Sequence, residues 1–329
     1  MNWHKDQFTK LGIKMIDYIK ITKSLHDKDN AFLDYCKHEA DYSSGWSKYI
    51  VNGCNELFIW YNSNSNLLRL EGSIMYFWQG HNFTYSTKNF YKAIEHINTI
   101  TQTDFWDSKV EIFEFGIIMR VDDKPKEYIK NHEVAPKEKL TMEEKSKDKG
   151  HFRWYEGSNV ILKMYDAGRN IKYKQGMTKR KVIEEAGWNP KDNFLKFEVK
   201  YKKPEILNEG NPLLLSDLVS PEFIDLLKGD LHLQYQRLSP VKSINRTLEK
   251  SNLSTSDILI FHIAKKYGSS ILKTQKSLYE EVNSIPKNIL NKSDKDSRKR
   301  QIKNLCMKLT EDNTSKWDLS ERIANNLLL

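Results

Sequence analysis

The chain has 329 residues, of which 39% are hydrophobic and 12% aromatic, and its net charge is +9. This length and composition provide a sizeable core and about two domains, which excludes an intrinsically disordered protein. The three cysteines, Cys36, Cys54 and Cys306, are odd in number and show no CxxC spacing. They argue against a disulfide framework and favour a reducing, cytoplasmic location.

The positive charge favours an anionic partner, with nucleic acid and anionic lipid as the leading candidates and a merely basic protein as the alternative. The N-terminus has no apolar segment of signal-peptide length. No apolar run approaches the ~18–20 residues that a membrane-spanning helix needs, so the sequence predicts no membrane partner.

Strand patterns dominate the first two thirds of the chain, and helix patterns dominate the rest. Residues 8–21 fit a strand or a short helix, and residues 122–150 form a densely charged segment. The other predicted elements are strands over 54–60, 67–78 and 110–121, a helix over 87–100, strands over 151–155, 160–166 and 194–202, a short helix over 179–186 and helices after residue 209.

These elements predict an α+β fold, with an antiparallel sheet that carries helices on one face, followed by an all-helical C-terminal region. The predicted domains are an α+β domain over residues 1–205, connecting helices over 206–240 and a helical, basic region over 241–329.

Polar residues recur at alternate positions within the predicted strands. The sets that share a face are Arg69, Glu71 and Ser73; Glu114 and Gly116; His151, Arg153 and Tyr155; and Lys196, Glu198, Lys200 and Lys202. If the strands are neighbours, these sets form one polar surface. Carboxylates on one sheet face repel one another unless a cation lies between them, which indicates a metal-dependent phosphoryl-transfer site. An exposed face laced by Lys–Glu pairs is the alternative.

The segment that ends in Gln79-Gly80-His81-Asn82 is the most distinctive, because it ends a strand in a tight polar turn. Three further segments follow in order: Val110–Ile117, Trp154–Asp166 and Leu195–Lys200. Together the four segments resemble the gene II/X replication initiators of filamentous phages and related plasmids, and more distantly the Rep_trans plasmid initiators. The resemblance covers about residues 50–205. The chain departs from the family pattern at Trp78, at Ala167 and in the acidic strand, which lacks the family's Arg and Thr.

The resemblance implies a fold like that of rolling-circle Rep nucleases and a role as an initiator of rolling-circle DNA replication. Such an endonuclease nicks one strand of the origin, forms a 5′-phosphotyrosine link, leaves a 3′ hydroxyl and later rejoins the strand. The implied partners are single-stranded or hairpin origin DNA, with a host helicase and polymerase. A DNA-binding protein without activity, and a metal-dependent nuclease that uses water, remain as alternatives.

The resemblance also implies the roles of individual residues. The nucleophile is Tyr165 by the gene II pattern or Tyr155 by the Rep_trans pattern. Mg²⁺ or Mn²⁺ is expected on Glu114 and Glu198, with Glu71 or His81 completing the set, although His81 can instead pin the turn through hydrogen bonds. The residues expected to contact phosphates are Arg153, Lys163, Lys196, Lys200 and Lys202.

Helices are also predicted over residues 254–267, 274–282 and 297–309. The last carries Arg298, Lys299 and Arg300 on one side and apolar residues on the other. This pattern predicts a helix-turn-helix-like reader of the origin, or alternatively a helical cap with a solvated basic face.

Overall fold

The structure is a computed structural model. It describes residues 13–25, 31–51, 56–83, 85–135, 137–144, 150–174, 177–185, 188–241, 243–244, 258, 271–308, 310–311 and 314–328. The chain divides into two compact units. The first comprises Met1–Ile129, Pro136–Arg237 and Ser320–Leu329, and the second comprises Lys130–Ala135 and Leu238–Leu319.

A ten-stranded antiparallel sheet forms the centre of the first unit. Its strand order is β2-β3-β4-β5-β1-β6-β11-β10-β9-β8. The strands are β1 (Ile13–Ser24), β2 (Cys36–Asp41), β3 (Trp46–Val51), β4 (Leu57–Asn62), β5 (Leu67–Gly72), β6 (Lys109–Val121), β8 (Thr141–Glu143), β9 (Phe152–Glu156), β10 (Val160–Asp166) and β11 (Asn193–Tyr201). The predicted α+β class with a large antiparallel sheet is confirmed.

The helices of the first unit and its three short 3₁₀ turns connect these strands and cover the sheet. The helices are α1 (Ile74–Gln79), α2 (Thr87–Thr101), α3 (Pro125–Lys130), α4 (Ala167–Lys174), α5 (Met177–Glu185), α6 (Pro221–Gln236) and α10 (Ser320–Leu328). The 3₁₀ turns are Ala31–Tyr35, Pro204–Asn208 and Leu215–Val219.

One face of the sheet is apolar because alternate residues of its central strands are large and hydrophobic. Phe113, Phe115 and Phe197 are almost completely buried there. Helix α6 packs on this face, where the rings of Phe197 and Tyr235 meet edge to face with centroids 5.5 Å apart. This apolar face contributes much of the core of the first unit, whereas the opposite face carries polar side chains together with a second apolar cluster that includes Ile118 and Ile171.

A β-bulge in β1 breaks the alternation of the two faces. Ile16 pairs with Phe115 and Ile19 with Phe113, so Asp17 and Tyr18 together lie opposite the single residue Glu114. The extra residue lets Asp17 and Tyr18 both face away from the apolar core, while Ile16 and Ile19 remain fully buried. The bulge thus adds two polar side chains at the centre of the sheet.

The predicted strand over residues 67–78 is wrong in its second half. Strand β5 ends at Gly72, and residues 74–79 form helix α1 instead. The Ser73 hydroxyl caps this helix by accepting a hydrogen bond from the Tyr76 amide, and Gly80 ends it with a φ of 75°. These end signals outweigh the strand preference of the aromatic residues between them.

Among its described residues, the second unit contains helices and two pairs of short strands. Its strands are β7 (His132–Val134), β12 (Leu238–Pro240), β13 (Ser243–Ile244) and β14 (Thr310–Glu311), and its helices are α7 (Ile271–Ser284), α8 (Lys292–Lys308) and α9 (Thr314–Trp317). The prediction of C-terminal helices is confirmed, but the region is not all-helical, because β12 pairs with β7 and β13 with β14. Apart from Ile258, the predicted helix over 254–267 lies outside the described residues.

Helices α7 and α8 pack against each other through a small apolar cluster. Ile302 and Cys306 are buried in it, and Leu278, Tyr279 and Val282 contact them. Among the helices that the structure describes, none is both long enough and apolar enough to cross a membrane.

Candidate active site on the polar face of the sheet

The strand register brings the charged residues of three strands to one sheet face, called here the polar face. Lys163 and Tyr165 of β10 pair with Glu198 and Lys196 of β11. Glu198 in turn pairs with Gly116 of β6, and Lys200 pairs with Glu114. Because directly paired residues of antiparallel strands point to the same side, all of these side chains share a face.

The charged groups of the polar face form one alternating series, called here the ion chain: Lys200, Glu114, Lys163, Glu198, Lys196 and Asp17. The Lys163 ammonium lies 2.7 Å from Glu114 Oε1 and 3.0 Å from Glu198 Oε1. Lys196 Nζ lies 2.6 Å from Glu198 Oε2 and also contacts Asp17. Three ammonium groups therefore neutralise three carboxylates.

The two ends of the ion chain have weaker or additional partners. Lys200 Nζ is 3.7 Å from Glu114 Oε1, and its side chain is partly exposed. At the other end, Asp17 accepts a hydrogen bond of 3.2 Å from the Ser73 hydroxyl. The ion chain therefore runs from a partly exposed lysine, Lys200, to the buried Lys196 and to Asp17, which both line a cavity.

The ion chain shifts the proton affinity of its members in opposite directions. Burial would raise the pKa of Glu198, but Lys196 and Lys163 lower it well below its ordinary value of 4.5. Burial and the neighbouring charge of Glu198 raise the pKa of Glu114. Burial alone would lower the pKa of Lys163 and Lys196, but their carboxylate partners raise it instead. At neutral pH both lysines are therefore charged.

Tyr165 lies directly beside the ion chain. Its hydroxyl donates a hydrogen bond of 3.1 Å to Glu198 Oε2, and Lys196 Nζ lies 5.4 Å from the centre of its ring. Burial and the negative charge of Glu198 raise the pKa of the phenol well above its ordinary value of 10. The phenol is therefore protonated at neutral pH, with its proton directed at a carboxylate.

Tyr155 and Arg153 do not join the polar face, contrary to the face assignment made from the sequence. Tyr155 pairs with Leu162 and Arg153 with Met164, both buried on the opposite side of β10. Tyr155 is fully buried there. Arg153 donates hydrogen bonds of 2.8 Å to the Ile129 carbonyl and 2.9 Å to Glu144.

Three other predicted residues lie outside the ion chain. Glu71 accepts a hydrogen bond of 2.7 Å from Tyr18, and Lys202 donates one of 3.0 Å to Glu156. The ring of His81 accepts a hydrogen bond of 3.2 Å from the Phe83 amide, and burial lowers its pKa. His81 therefore holds the turn, as the sequence offered as an alternative.

The donor set does not suit a divalent cation in its described arrangement. Within the described residues, no group of three or more His, Cys, Asp or Glu side chains could hold a metal ion. The Lys163 ammonium stands between Glu114 and Glu198, where a cation shared by these carboxylates would have to lie. Mg²⁺ or Mn²⁺ therefore stays a prediction from the sequence.

Asp17 and Tyr18 are site residues that the sequence reasoning missed. The signal for them is the spacing of Ile16 and Ile19, which interrupts strict alternation and is typical of a bulge. Gly116 is a third contributor, because a Cβ there would lie 2.4 Å from the Cβ of Glu198. Only glycine lets β6 approach Glu198 this closely.

The basic residues of helix α8 belong to the second unit. Arg298 and Arg300 are exposed, and Lys299 is partly exposed. Arg298 donates a hydrogen bond of 3.0 Å to Gln301 within the same helix. The buried side of α8 carries Ile302 and Cys306, so its basic side faces outward.

No protein-family model matches the chain, and a comparison with curated proteins finds no match either.

Proposed function

We propose that the first unit is a DNA-nicking and strand-rejoining enzyme in which Tyr165 is the nucleophile. The observation that carries this proposal is the hydrogen bond from the Tyr165 hydroxyl to Glu198, flanked by Lys163 and Lys196. A nucleophile, a proton acceptor and two cations are the groups that transesterification of a phosphodiester requires. The four segments that resemble gene II/X initiators support a replication origin as the substrate.

In the proposed reaction, the oxygen of Tyr165 attacks the phosphorus of a DNA phosphodiester. The new bond joins this oxygen to phosphorus, and the bond from phosphorus to the 3′ oxygen breaks. The phenol proton passes to Glu198, and the departing 3′ oxygen takes a proton from solvent. The strand then ends in a free 3′ hydroxyl, and the 5′ phosphate is held on the enzyme. The reverse attack by a 3′ hydroxyl rejoins the strand.

Substrate binding would also prepare Glu198 for its role. Without DNA, Lys163 and Lys196 lower the proton affinity of Glu198, which makes it a weak base. A phosphate that draws either ammonium toward itself removes that stabilisation, so the proton affinity of Glu198 rises next to the Tyr165 hydroxyl. The same ammonium then faces the charge that develops on the phosphate oxygens. The base is therefore strengthened only when a phosphate is present.

The environment of the two candidate tyrosines favours Tyr165 over Tyr155. Tyr165 lines a cavity of about 150 Å³ together with Lys196 and Asp17. Tyr155 is fully buried on the face that carries Leu162. A phosphate can approach Tyr165 without unpacking the core, whereas access to Tyr155 would require it.

A second proposed activity, duplex DNA binding, belongs to the second unit. Helix α8 packs through Ile302 and Cys306 and presents Arg298 and Arg300 to solvent. An exposed basic helix supported by a partner helix is the arrangement that reads or tracks duplex DNA in helix-turn-helix proteins. This activity would bring origin DNA to the protein.

A search for covalent adducts tests the main proposal without knowledge of the origin. The full-length protein is incubated with a random-sequence single-stranded DNA library, denatured in detergent and captured, and the attached DNA is counted. Wild type and Tyr155→Phe, provided that the variant folds, should retain DNA, and Tyr165→Phe should retain none. Cleavage without retained DNA would favour water as the nucleophile, and binding without cleavage would overturn the enzyme proposal.

A further inference from the structure

The cavity beside Tyr165 contains a second polar feature that the proposed reaction does not use. The cavity is lined by the Asn82 turn, helix α4 and the polar face, and its volume is about 150 Å³. This is smaller than the roughly 300–1,000 Å³ of pockets that take drug-sized ligands. A single ring system is therefore the largest occupant that its size suits.

Asn82 is the unusual residue of this cavity. Only 7% of its surface is exposed, and it lines the cavity. Its carboxamide forms no hydrogen bond with a described residue and is not sealed from solvent, so it can bond to an occupant of the cavity. The neighbouring His81 accepts a hydrogen bond within the turn and fixes it, so Asn82 is held in place at the cavity wall.

The remaining walls are suited to a flat aromatic ligand with polar edges. Phe83, Ile118 and Ile171 contribute apolar surface, and Asn170 contributes a second carboxamide. Burial and the charge of Asp17 raise the pKa of the Tyr76 hydroxyl to about 12, so this group remains a neutral hydrogen-bonding partner. Apolar walls with two carboxamides match the faces and edge of a nucleobase.

We infer that this cavity seats one unstacked nucleobase, that of a nucleotide flanking the phosphate attacked by Tyr165, and that it prefers adenine. The inference rests on the proposed function, because the nucleotide whose base enters the cavity is the one that flanks the phosphate attacked by Tyr165. A carboxamide pairs with the adjacent donor and acceptor of adenine, which is the usual partner of Asn and Gln in DNA recognition. Asn82 is the residue that determines the base preference.

The test uses fluorescence anisotropy with labelled 20-nucleotide dA, dT and dC homopolymers and the full-length protein. Wild type should bind the dA strand about tenfold more tightly than the dT strand. Asn82→Leu, which keeps the size of the side chain, should abolish that difference and leave dT binding unchanged. Asn211→Leu is the matched control, because Asn211 is exposed in a loop and should preserve the preference.

Two further arms keep the inference testable if Asn82→Leu fails to fold. Ala167→Leu adds bulk to the cavity wall and should also remove the dA preference, with folding checked by circular dichroism.

Free dAMP is titrated separately. Binding of dAMP that depends on Asn82, with no preference among the homopolymers, would assign the cavity to a free nucleotide and overturn the inference. Equal binding of all homopolymers by wild type, without dAMP binding, would leave only water in the cavity. Failure to bind any single-stranded DNA would overturn the proposed function itself.

Discussion

Lys163 occupies the place between two carboxylates that a metal ion was expected to fill. The sequence correctly indicated that Glu114 and Glu198 share a sheet face and need a nearby cation. It could not indicate which cation, because Lys163 and Glu198 are 35 residues apart and meet only through the register of β10 and β11. The alternative of Lys–Glu pairs describes this part of the face, although the pairs are well packed and not merely solvated.

Replacing Glu198 tests whether the ion chain stabilises the fold. We predict that Glu198→Gln lowers the free energy of unfolding by about 3–5 kcal/mol at pH 7, because it leaves Lys163 and Lys196 without a shared partner. Glu156→Gln is the control, since Glu156 pairs with Lys202 at the surface and should cost about 0–1 kcal/mol. Urea unfolding monitored by circular dichroism measures both.

The same variants have a predicted pH dependence. The pKa of Glu198 is lower in the folded state than its ordinary value of 4.5, so its contribution is complete above pH 4.5 and is lost as the pH falls through the lowered value. The difference in stability between wild type and Glu198→Gln should therefore narrow below pH 4.5. A difference that stays constant down to pH 3 would show that the charge of Glu198 does not stabilise the fold.

Chelation tests whether lysines alone supply the positive charge of the site. We predict that EDTA changes adduct formation by wild type less than about twofold, because Lys163 and Lys196 already neutralise the carboxylates. The assay is the library capture described above, run with EDTA and with Mn²⁺. Loss of adduct in EDTA and its recovery with Mn²⁺ would instead support the metal site predicted from the sequence.

Individual strands and helices were predictable where one residue pattern decided them. Strand β10 over Val160–Asp166 matches its predicted range, and α2 differs from its predicted range by one residue. Two features could not be predicted from the sequence because they depend on distant partners. They are the bulge at Asp17 and Tyr18 and the sheet face to which Tyr155 points. The residues of β9 alternate correctly, but alternation alone does not say which of the two faces is the core.

Gly116 provides a test of how closely β6 and β11 must approach. We predict that Gly116→Ala lowers the free energy of unfolding by about 1–3 kcal/mol or more, because its Cβ would lie 2.6 Å from the Phe197 carbonyl oxygen. Gly229→Ala in helix α6 is the matched control. A Cβ at Gly229 has no neighbour within 4 Å, so that change should stabilise the helix by about 0.5–1 kcal/mol. Equal effects in thermal or urea unfolding would show that the close approach is not required.

At the scale of the whole molecule, the two units carry different kinds of positive charge. In the first unit, carboxylates neutralise the lysines of the ion chain. In the second unit, Arg298 and Arg300 are exposed on helix α8. The net charge of +9 alone did not distinguish these two arrangements.

The salt dependence of duplex DNA binding measures how much helix α8 contributes to that binding. We predict that Arg298→Ala combined with Arg300→Ala weakens binding to duplexes of any sequence and lowers the slope of log K against log salt by about 1 for each lost phosphate contact. Single-stranded adduct formation should be unchanged. The control is Lys228→Ala, whose lysine pairs with Asp225 on helix α6 of the first unit. An unchanged slope in anisotropy titrations would remove α8 from the DNA-binding surface.

Peptide mapping of the covalent adduct tests the central claim most directly. The captured protein–DNA species is digested with nuclease and trypsin, and mass spectrometry locates the residual nucleotide. The geometry of Tyr165, Glu198 and Lys196 predicts a nucleotide attached through phosphate to Tyr165. A nucleotide on Tyr155 or on any other residue would contradict the assignment of the polar face as the site of strand transfer.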